Sequence, residues 1–287
     1  MPSLYTIPLP GRAIVTVSGP EAESFLQNLI TTDLGKLAPG EVLPGALLTP
    51  QGKILFDFLV SRDGEAAIRL ETGVEQGEGL LKRLTMYKLR APVTLALVSP
   101  ASVSVTLGDA DGESGLRDMR FARAGETVFR RYDAPNDGTS SAIDAYDRLR
   151  IESGIAVSGA DYALQDAFPH DVLMDFNGGL SFKKGCYVGQ EVVSRMQHRG
   201  TARRRVVIVR AATTLPETGT AITANGRPIG MLGSVLDQSG LAILRIDKAG
   251  EAIAKSEPIL AGDVAVTLSL PAWSGLTFPI ASEEASA

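Results

Sequence analysis

The apolar positions of the first half of the chain fall into short runs set apart by glycine, proline and polar residues. Ala13-Ile14-Val15-Thr16-Val17 is a β-branched run that reads as a strand. Gly19-Pro20 stops it and starts a helix, because proline suits a first helical turn and Glu21 and Glu23 suit its positive end. Phe25, Leu26, Leu29 and Ile30 then recur at three-and-four spacing, which predicts one apolar helix face. Strands are predicted near Leu43–Thr49, Ile54–Val60 and Ala66–Leu70, with Thr49-Pro50-Gln51-Gly52-Lys53 as the hairpin loop between the first two. A helix is predicted over Val74–Leu89, burying Leu80, Leu81, Leu84 and Tyr87, and strands follow near Val93–Val98 and Val103–Leu107.

Ala122–Ser141 is rich in Gly, Asp, Pro and Ser, apart from a short strand at Val128–Tyr132, and reads as an internal connection. A helix is predicted over Ala142–Ser153, ended by Gly154, a usual residue just past a helix C-terminus. Phe168–Gly185 carries turn residues, and a further helix is predicted over Val188–Met196. The texture changes after Arg203. Short strands at Val206–Ala211, Pro228–Leu236, Leu241–Ile246 and Val264–Leu270 alternate with Gly, Pro and Asn turns, without a helical period. This is the pattern of a small β-barrel or sandwich. The boundary falls near Gly200–Arg205, giving a first region of residues 1–200 and a second of 201–287. Ser282–Ala287 is small and acidic and is predicted to fray.

With 287 residues, 44% hydrophobic and 21% charged, the chain has the balance of a globular protein with a real core, in two domains or one composite one. No apolar run reaches the length of a membrane span. Met1-Pro2-Ser3-Leu4-Tyr5 has neither a secretory signal nor an Arg-rich leader, so the expected location is the cytoplasm. The net charge is −5, yet Lys183, Lys184, Arg195, Arg199, Arg203, Arg204 and Arg205 stand against one acid, Glu191. That local field attracts an anion. It suits a small anionic ligand better than nucleic acid, which asks for a wider basic face.

Candidate chemistry gathers in Gly179-Leu180-Ser181-Phe182-Lys183-Lys184-Gly185-Cys186-Tyr187-Val188-Gly189-Gln190-Glu191. Cys186 is the single cysteine, beside two lysines and just ahead of a predicted helix, a setting that favours thiolate. The alternative is a buried cysteine on a tight turn. Gly185 and Gly189 leave the backbone room to approach a ligand. Gln190 and Glu191 can present a donor/acceptor pair and an anion to a flat heterocycle with amide-like edges, such as a pterin. One cysteine and two histidines, His170 and His198, do not supply the four ligands of an ordinary iron–sulfur cluster. Any cluster contact is therefore transient or shared. A cysteine hydrolase would need a base aimed at Cys186, and the two histidines lie in turn-like or charged surroundings.

Lys184-Gly185-Cys186-Tyr187-Val188-Gly189-Gln190-Glu191 resembles the signature of the YgfZ family, which is related to the folate-binding T-protein of the glycine-cleavage system. Phe25–Leu34 resembles that family's first helix and following turn, Pro50-Gln51-Gly52-Lys53 its first hairpin loop, and Arg199–Arg205 its basic passage into the C-terminal barrel. The resemblance implies an α+β, T-protein-like cloverleaf: two interleaved α/β subdomains around a folate site, plus a C-terminal β-barrel. It implies a folate-binding accessory protein in iron–sulfur cluster assembly or repair, with tetrahydrofolate or another reduced folate as cofactor. Iron–sulfur proteins or assembly factors would be its clients, modified tRNA would be affected only through such enzymes, and neither membrane nor direct nucleic-acid binding is implied. Cys186 matches the motif cysteine. Some members carry tryptophans flanking the folate, at the head of the first strand and in the helix before the motif; here those positions are Arg12 and Tyr146. Tyr146 can stack on a ring, and Arg12 can stack or bind a glutamate tail. The expected pocket has Gln190 and Glu191 reading the pterin, framed by Arg12, Tyr146, Lys184 and Arg195. The alternative is a folate-dependent aminomethyltransferase of the T-protein type. The T-protein carries an adjacent acidic pair in the strand after its hairpin loop, and here that strand has Asp57 alone. Asp57 is thus either a catalytic residue or a polar residue on an open strand face.

Overall fold

The β-branched and alternating runs form the strands they predict. A computed structural model describes residues 6–108, 115–132 and 140–279. The connection at 133–139 and the tail at 282–287 lie outside the described residues. Strands β1 (Thr6–Pro8), β2 (Arg12–Ser18), β3 (Glu41–Leu48), β4 (Ile54–Arg62), β5 (Ala67–Gly73), β6 (Thr94–Ala101), β7 (Val103–Leu107), β8 (Leu116–Asp118) and β9 (Val128–Tyr132) make one sheet. Its order is β1-β7-β9-β8-β3-β4-β5-β2-β6. Every pairing is antiparallel except β3 with β8. The helices are α1 (Ala22–Gln27), α2 (Val74–Lys88), α3 (Met119–Arg123), α4 (Ser140–Glu152), α5 (Met174–Asn177), α6 (Gln190–Arg199) and α7 (Ile246–Ala254).

The chain divides into two units. The first is Met1–Tyr146 with Met174–Ser194, and the second is Asp147–Leu173 with Arg195–Ala287. In the first unit, α2 and the turn after α1 cover one face of the sheet. Leu26, Ile30, Leu34, Leu47, Val60, Leu70, Leu80 and Leu84 form the core there. Leu80 and Leu84 are buried as the helical period requires, while Leu81 and Tyr87 are only partly covered.

The second unit holds a closed six-strand barrel. Its strands are β10 (Arg204–Ala211), β11 (Ala221–Ala224), β12 (Arg227–Leu236), β13 (Ser239–Arg245), β14 (Ile259–Ala261) and β15 (Val264–Ser269), in the order β10-β13-β12-β11-β14-β15. Closure comes from β10 pairing with β15. The barrel region was predicted without a helix, and α7 corrects that. Its buried residues are Ile246, which the pattern assigned to the end of a strand, and the small Ala249, Gly250 and Ala252. A Cβ on Gly250 would lie 2.0 Å from the Pro279 carbonyl oxygen, so the close approach of those two segments requires glycine. Arg150 holds the second unit together from inside: it donates to Asp161 at 2.8 Å and to Ser234 Oγ at 2.7 Å. Asp161 in turn accepts from the Ser234 amide at the β12 irregularity.

Candidate functional site

Cys186 is exposed, on a loop pinned at several points within the first unit. The Leu180 amide donates to the Met174 carbonyl, the Ser181 amide to the Thr31 carbonyl, and Thr31 Oγ1 to the Gly179 carbonyl. Lys184 Nζ donates to the carbonyls of Ile30 at 2.7 Å and Thr32 at 2.8 Å and lies 5.4 Å from the centre of the Tyr187 ring. The Tyr187 hydroxyl donates to the Ser181 carbonyl at 2.8 Å. Burial pushes the Lys184 ammonium down to about 8, against the opposing pull of Asp33, and burial raises the Tyr187 phenol. Lys184, expected to frame a ligand, is thus 8% exposed and holds the loop to the turn after α1.

The two motif glycines do different things. Gly189 has φ 79°, and a Cβ there would meet the Thr49 carbonyl oxygen at 2.5 Å. It abuts the Thr49–Lys53 hairpin tip, whose Gly52 in turn faces Val192 and Val193. The close approach is therefore made to the protein's own backbone. Around Gly185 nothing lies within 4 Å of a Cβ, so the side next to the thiol is open. Helix α6 starts at Gln190, two residues later than the pattern placed it, and Cys186 stands ahead of the first turn in which a helix dipole acts. Gln190 is half-buried, and Glu191 and Arg195 are exposed. Arg195 belongs to the second unit, so the basic run from Lys183 to Arg205 is divided between the two units. Within that run Arg205 is buried and donates to the His170 carbonyl, while Arg204 pairs with Asp166.

A second cluster lies inside the curled sheet. Although β8, β3 and β4 stand between β9 and β5, Arg130 on β9 grips Glu71 on β5, donating to both carboxylate oxygens. Glu71 also accepts from Arg12 Nε at 2.7 Å and the Tyr132 hydroxyl at 3.0 Å. Arg130 reaches on to Asp118 at 3.2 Å, and Asp118 is held by both Nε and a terminal nitrogen of Arg120. Burial alone would raise the Glu71 carboxyl, but Arg130 and Arg12 overcome it and hold the group at about 2. Three guanidinium groups (Arg12, Arg120, Arg130) against two carboxylates (Glu71, Asp118) leave a surplus of one positive charge. The Arg12 side chain is 24% exposed, and among the described residues its two terminal nitrogens make no hydrogen bond.

Tyr146 meets the same cluster from α4. It is buried, tilted against Phe121 at 5.8 Å, and close enough to Arg120 and Arg130 to interact with their charges. The two positions that the resemblance selected as flanking a ligand, Arg12 and Tyr146, thus converge on one ion network. Asp57, on β4, is half-buried; its carboxylate accepts from Gln76 Nε2 at 2.9 Å and its carbonyl accepts from Thr72 Oγ1 at 2.7 Å. Sequence reasoning missed Glu71, Asp118, Arg120 and Arg130. The one signal was charge inside otherwise apolar strands, Glu71 after Ile68 and Leu70 and Arg130 after Val128, which in a buried sheet requires partners.

Among the described residues no group of three or more His, Cys, Asp or Glu side chains is placed to hold a metal ion, and no helix is long and apolar enough to cross a membrane. The family described as the CAF17 C-terminal β-barrel domain matches residues 203–276. The mouse protein named iron–sulfur cluster assembly factor IBA57, mitochondrial, is 32% identical, across 92% of this chain and 84% of that protein. The chain belongs to the IBA57 family of iron–sulfur cluster assembly factors. The human IBA57 is 29% identical over the same shares of both chains. The crystal structure of the glycine cleavage system aminomethyltransferase T from Bartonella henselae superposes with a TM-score of 0.72 at 17% identity, covering 93% of this chain and 85% of that one. The fold of this IBA57-family chain is therefore that of the T-protein, with its C-terminal barrel. The expectation of a cytoplasmic location is corrected: these relatives are named as mitochondrial. That expectation rested on the residues at the start of the chain.

Proposed function

We propose that this iron–sulfur cluster assembly factor uses Cys186 as a transient cluster ligand and binds a reduced folate beside the Arg12–Glu71–Arg130 network. The observation that carries the first part is an exposed thiol on a loop whose other members are fastened internally, with open space at Gly185. A pinned loop presents its sulfur with little entropy left to lose on binding. The chain lacks the thiolates to keep a cluster, so the cluster is cargo: the Cys186 thiol gives its proton to solvent, its sulfur bonds to iron, and the bond breaks again on transfer.

The residues present fit part of a folate. The open fork of Arg12, beside a surplus positive charge, suits the carboxylates of a glutamate tail, and Gln190 and Glu191 remain accessible for amide-like edges. Tyr146 and Lys184, as placed, serve the interior. A bound reduced folate would supply one-carbon chemistry, and Arg12 would fix its anionic end.

Tetrahydrofolate should raise the melting temperature of the protein, and Arg12→Ala should abolish that rise; an unchanged melting temperature at millimolar tetrahydrofolate removes the folate half. Cys186→Ser should fold normally yet fail to restore iron–sulfur enzyme activity in a strain lacking the protein. Full restoration removes the thiol half. Asp57→Asn separates the aminomethyltransferase alternative, since turnover of an aminomethyl donor with tetrahydrofolate that depends on Asp57 would favour it.

A further inference from the structure

One surface of the first unit combines three features that the thiol and folate reading does not use. From Gly79 to Gly108 the chain has no acidic residue, although the protein as a whole carries −5. Within it Lys82, Arg83, Lys88 and Arg90 occupy the last turns of α2 and the residues just beyond, and among the described residues none of their side chains forms an ion pair or a hydrogen bond. Lys82 and Arg90 are exposed and Lys88 is half-buried. The most exposed large apolar side chains of the first unit sit among them: Met86 at 60% and Leu89 at 88%.

Leu89 is also placed at a cost. It follows the last residue of α2 with φ 46° and ψ −103°, a positive φ that favours glycine and strains any residue with a Cβ. A leucine there accepts backbone strain and full hydration together, and burial against another molecule would offset both.

Five residues on, the chain enters β6. It is the terminal strand of the sheet, paired only with β2. One face is covered: Leu95 and Leu97 pack on the core under α2, with Gly77 against Leu97. The other face bears Val98 at 55% exposure. The sequence Thr94-Leu95-Ala96-Leu97-Val98-Ser99-Pro100-Ala101 contains no charge, the usual device against edge pairing. Among the described residues no strand pairs with its outer edge.

The geometry points to a docking surface for an extended acidic segment of a partner protein, added as a strand to β6, with its carboxylates met by Lys82, Lys88 and Arg90 and an apolar residue against Leu89 and Met86. Charge complementarity selects an acidic partner, and the open strand edge selects a polypeptide, since main-chain pairing is what such an edge offers. An anionic lipid surface would engage the helix end but leave the backbone of β6 unpaired. The inference is independent of Cys186 and of folate.

The test uses the full chain and three probes: a labelled synthetic peptide alternating glutamate with valine, its lysine-for-glutamate counterpart, and vesicles of phosphatidylcholine with phosphatidylserine. The glutamate peptide should bind, slow amide hydrogen exchange at Leu95–Ser99, and lose affinity as salt is raised. The double variant Lys82→Glu, Arg90→Glu, altered only at exposed positions, should weaken binding tenfold or more with an unchanged melting temperature. Leu89→Ser should weaken it while leaving the charge intact. Equal binding of the lysine peptide, glutamate-peptide binding without protection of β6, or vesicle binding in place of peptide binding would each overturn the proposal.

Discussion

Neutralising Glu71 is the most informative perturbation of the buried network. Its carboxylate is fully buried and accepts four hydrogen bonds, from Arg12, twice from Arg130, and from Tyr132. Glu71→Gln keeps the shape but turns one acceptor oxygen into a donor that faces donors. The local balance moves from three cations against two anions to three against one, with Arg130 buried in the middle. Breaking a buried pair by removing one partner costs about 3–5 kcal/mol. Against a total stability of about 5–15 kcal/mol, that is about a fifth or more, and at about 2–4 °C per kcal/mol the melting temperature should fall by roughly 10 °C. Urea unfolding followed by far-UV circular dichroism measures it, since Trp273 belongs to the second unit. The double variant Glu71→Met, Arg130→Leu removes both charges, and its cost should be well below the sum of the two single variants. The pH dependence gives an independent check of sign. A carboxyl held at about 2 when folded and 4.5 when not contributes stability above pH 4.5, lost as the pH falls toward 2. A Glu71→Gln protein within about 1 kcal/mol of the parent, or one with an unchanged slope below pH 4.5, would show that the network is not what holds β9 to β5.

The remaining predictions separate holding from chemistry. His170 is fully buried; burial first, and the Arg205 charge second, push its imidazole down to about 4, with the Gln197 contact opposing. An unfolded histidine takes its proton near 6.5, so stability should fall by up to about 3 kcal/mol from pH 6.5 to 4, and His170→Gln should flatten that slope in Trp273 fluorescence. Gly189→Ala should destabilise by about 1–3 kcal/mol from its positive φ, and further from the contact with Thr49, whereas Gly185→Ala should stay within about 0.5 kcal/mol; urea midpoints compare them. Lys184→Met strips the donor from the Ile30 and Thr32 carbonyls, each buried acceptor costing about 1–3 kcal/mol, and hydrogen exchange should quicken across residues 179–189. The ammonium itself, held at about 8 when folded against 10.5 when not, predicts that stability rises with pH between those values.

The strands and the barrel were legible because their apolar runs answer to local sterics and a period of two. What stayed hidden depends on long-range placement. Glu71 and Arg130 are far apart in sequence and separated by three strands in the sheet order, so only the curl of the sheet makes them partners. Helix α7 escaped because its Ile246 reads as the end of the preceding strand, and only Ala and Gly follow it on the buried face. The late start of α6 follows from Gly189, whose positive φ is incompatible with a first helical turn, so the chain becomes helical only at Gln190. In the motif, sequence alone marked Lys184, Gly185, Cys186 and Gly189 as one chemical group, since residue type does not distinguish a lysine that meets a ligand from one that meets two carbonyls.

That division explains how a signature of eight residues can surround a single exposed sulfur. Lys184 and Tyr187 turn inward to fasten the loop, and Gly189 lets it lie against the hairpin carrying Gln51 and Gly52. Thr31 ties it to β3, taking the Ala46 amide and giving its own hydroxyl proton to the Gly179 carbonyl. On the neighbouring strand Ala46 faces Asp57, and the Asp57 carbonyl receives Thr72 of β5, next to Glu71 and its grip on Arg12. A continuous run of hydrogen-bonded backbone thus joins the thiol loop to the ion network. The Thr31 bonds are buried and those of Thr72 and Arg12 part-buried, and loss of any leaves an unpaired polar group, so the run ties the loop and the network together within one unit. A substitution in this run, such as Thr31→Val, therefore belongs with the loop-loosening variants: it should raise hydrogen exchange around Cys186 and weaken iron–sulfur complementation while the thiol itself remains in place.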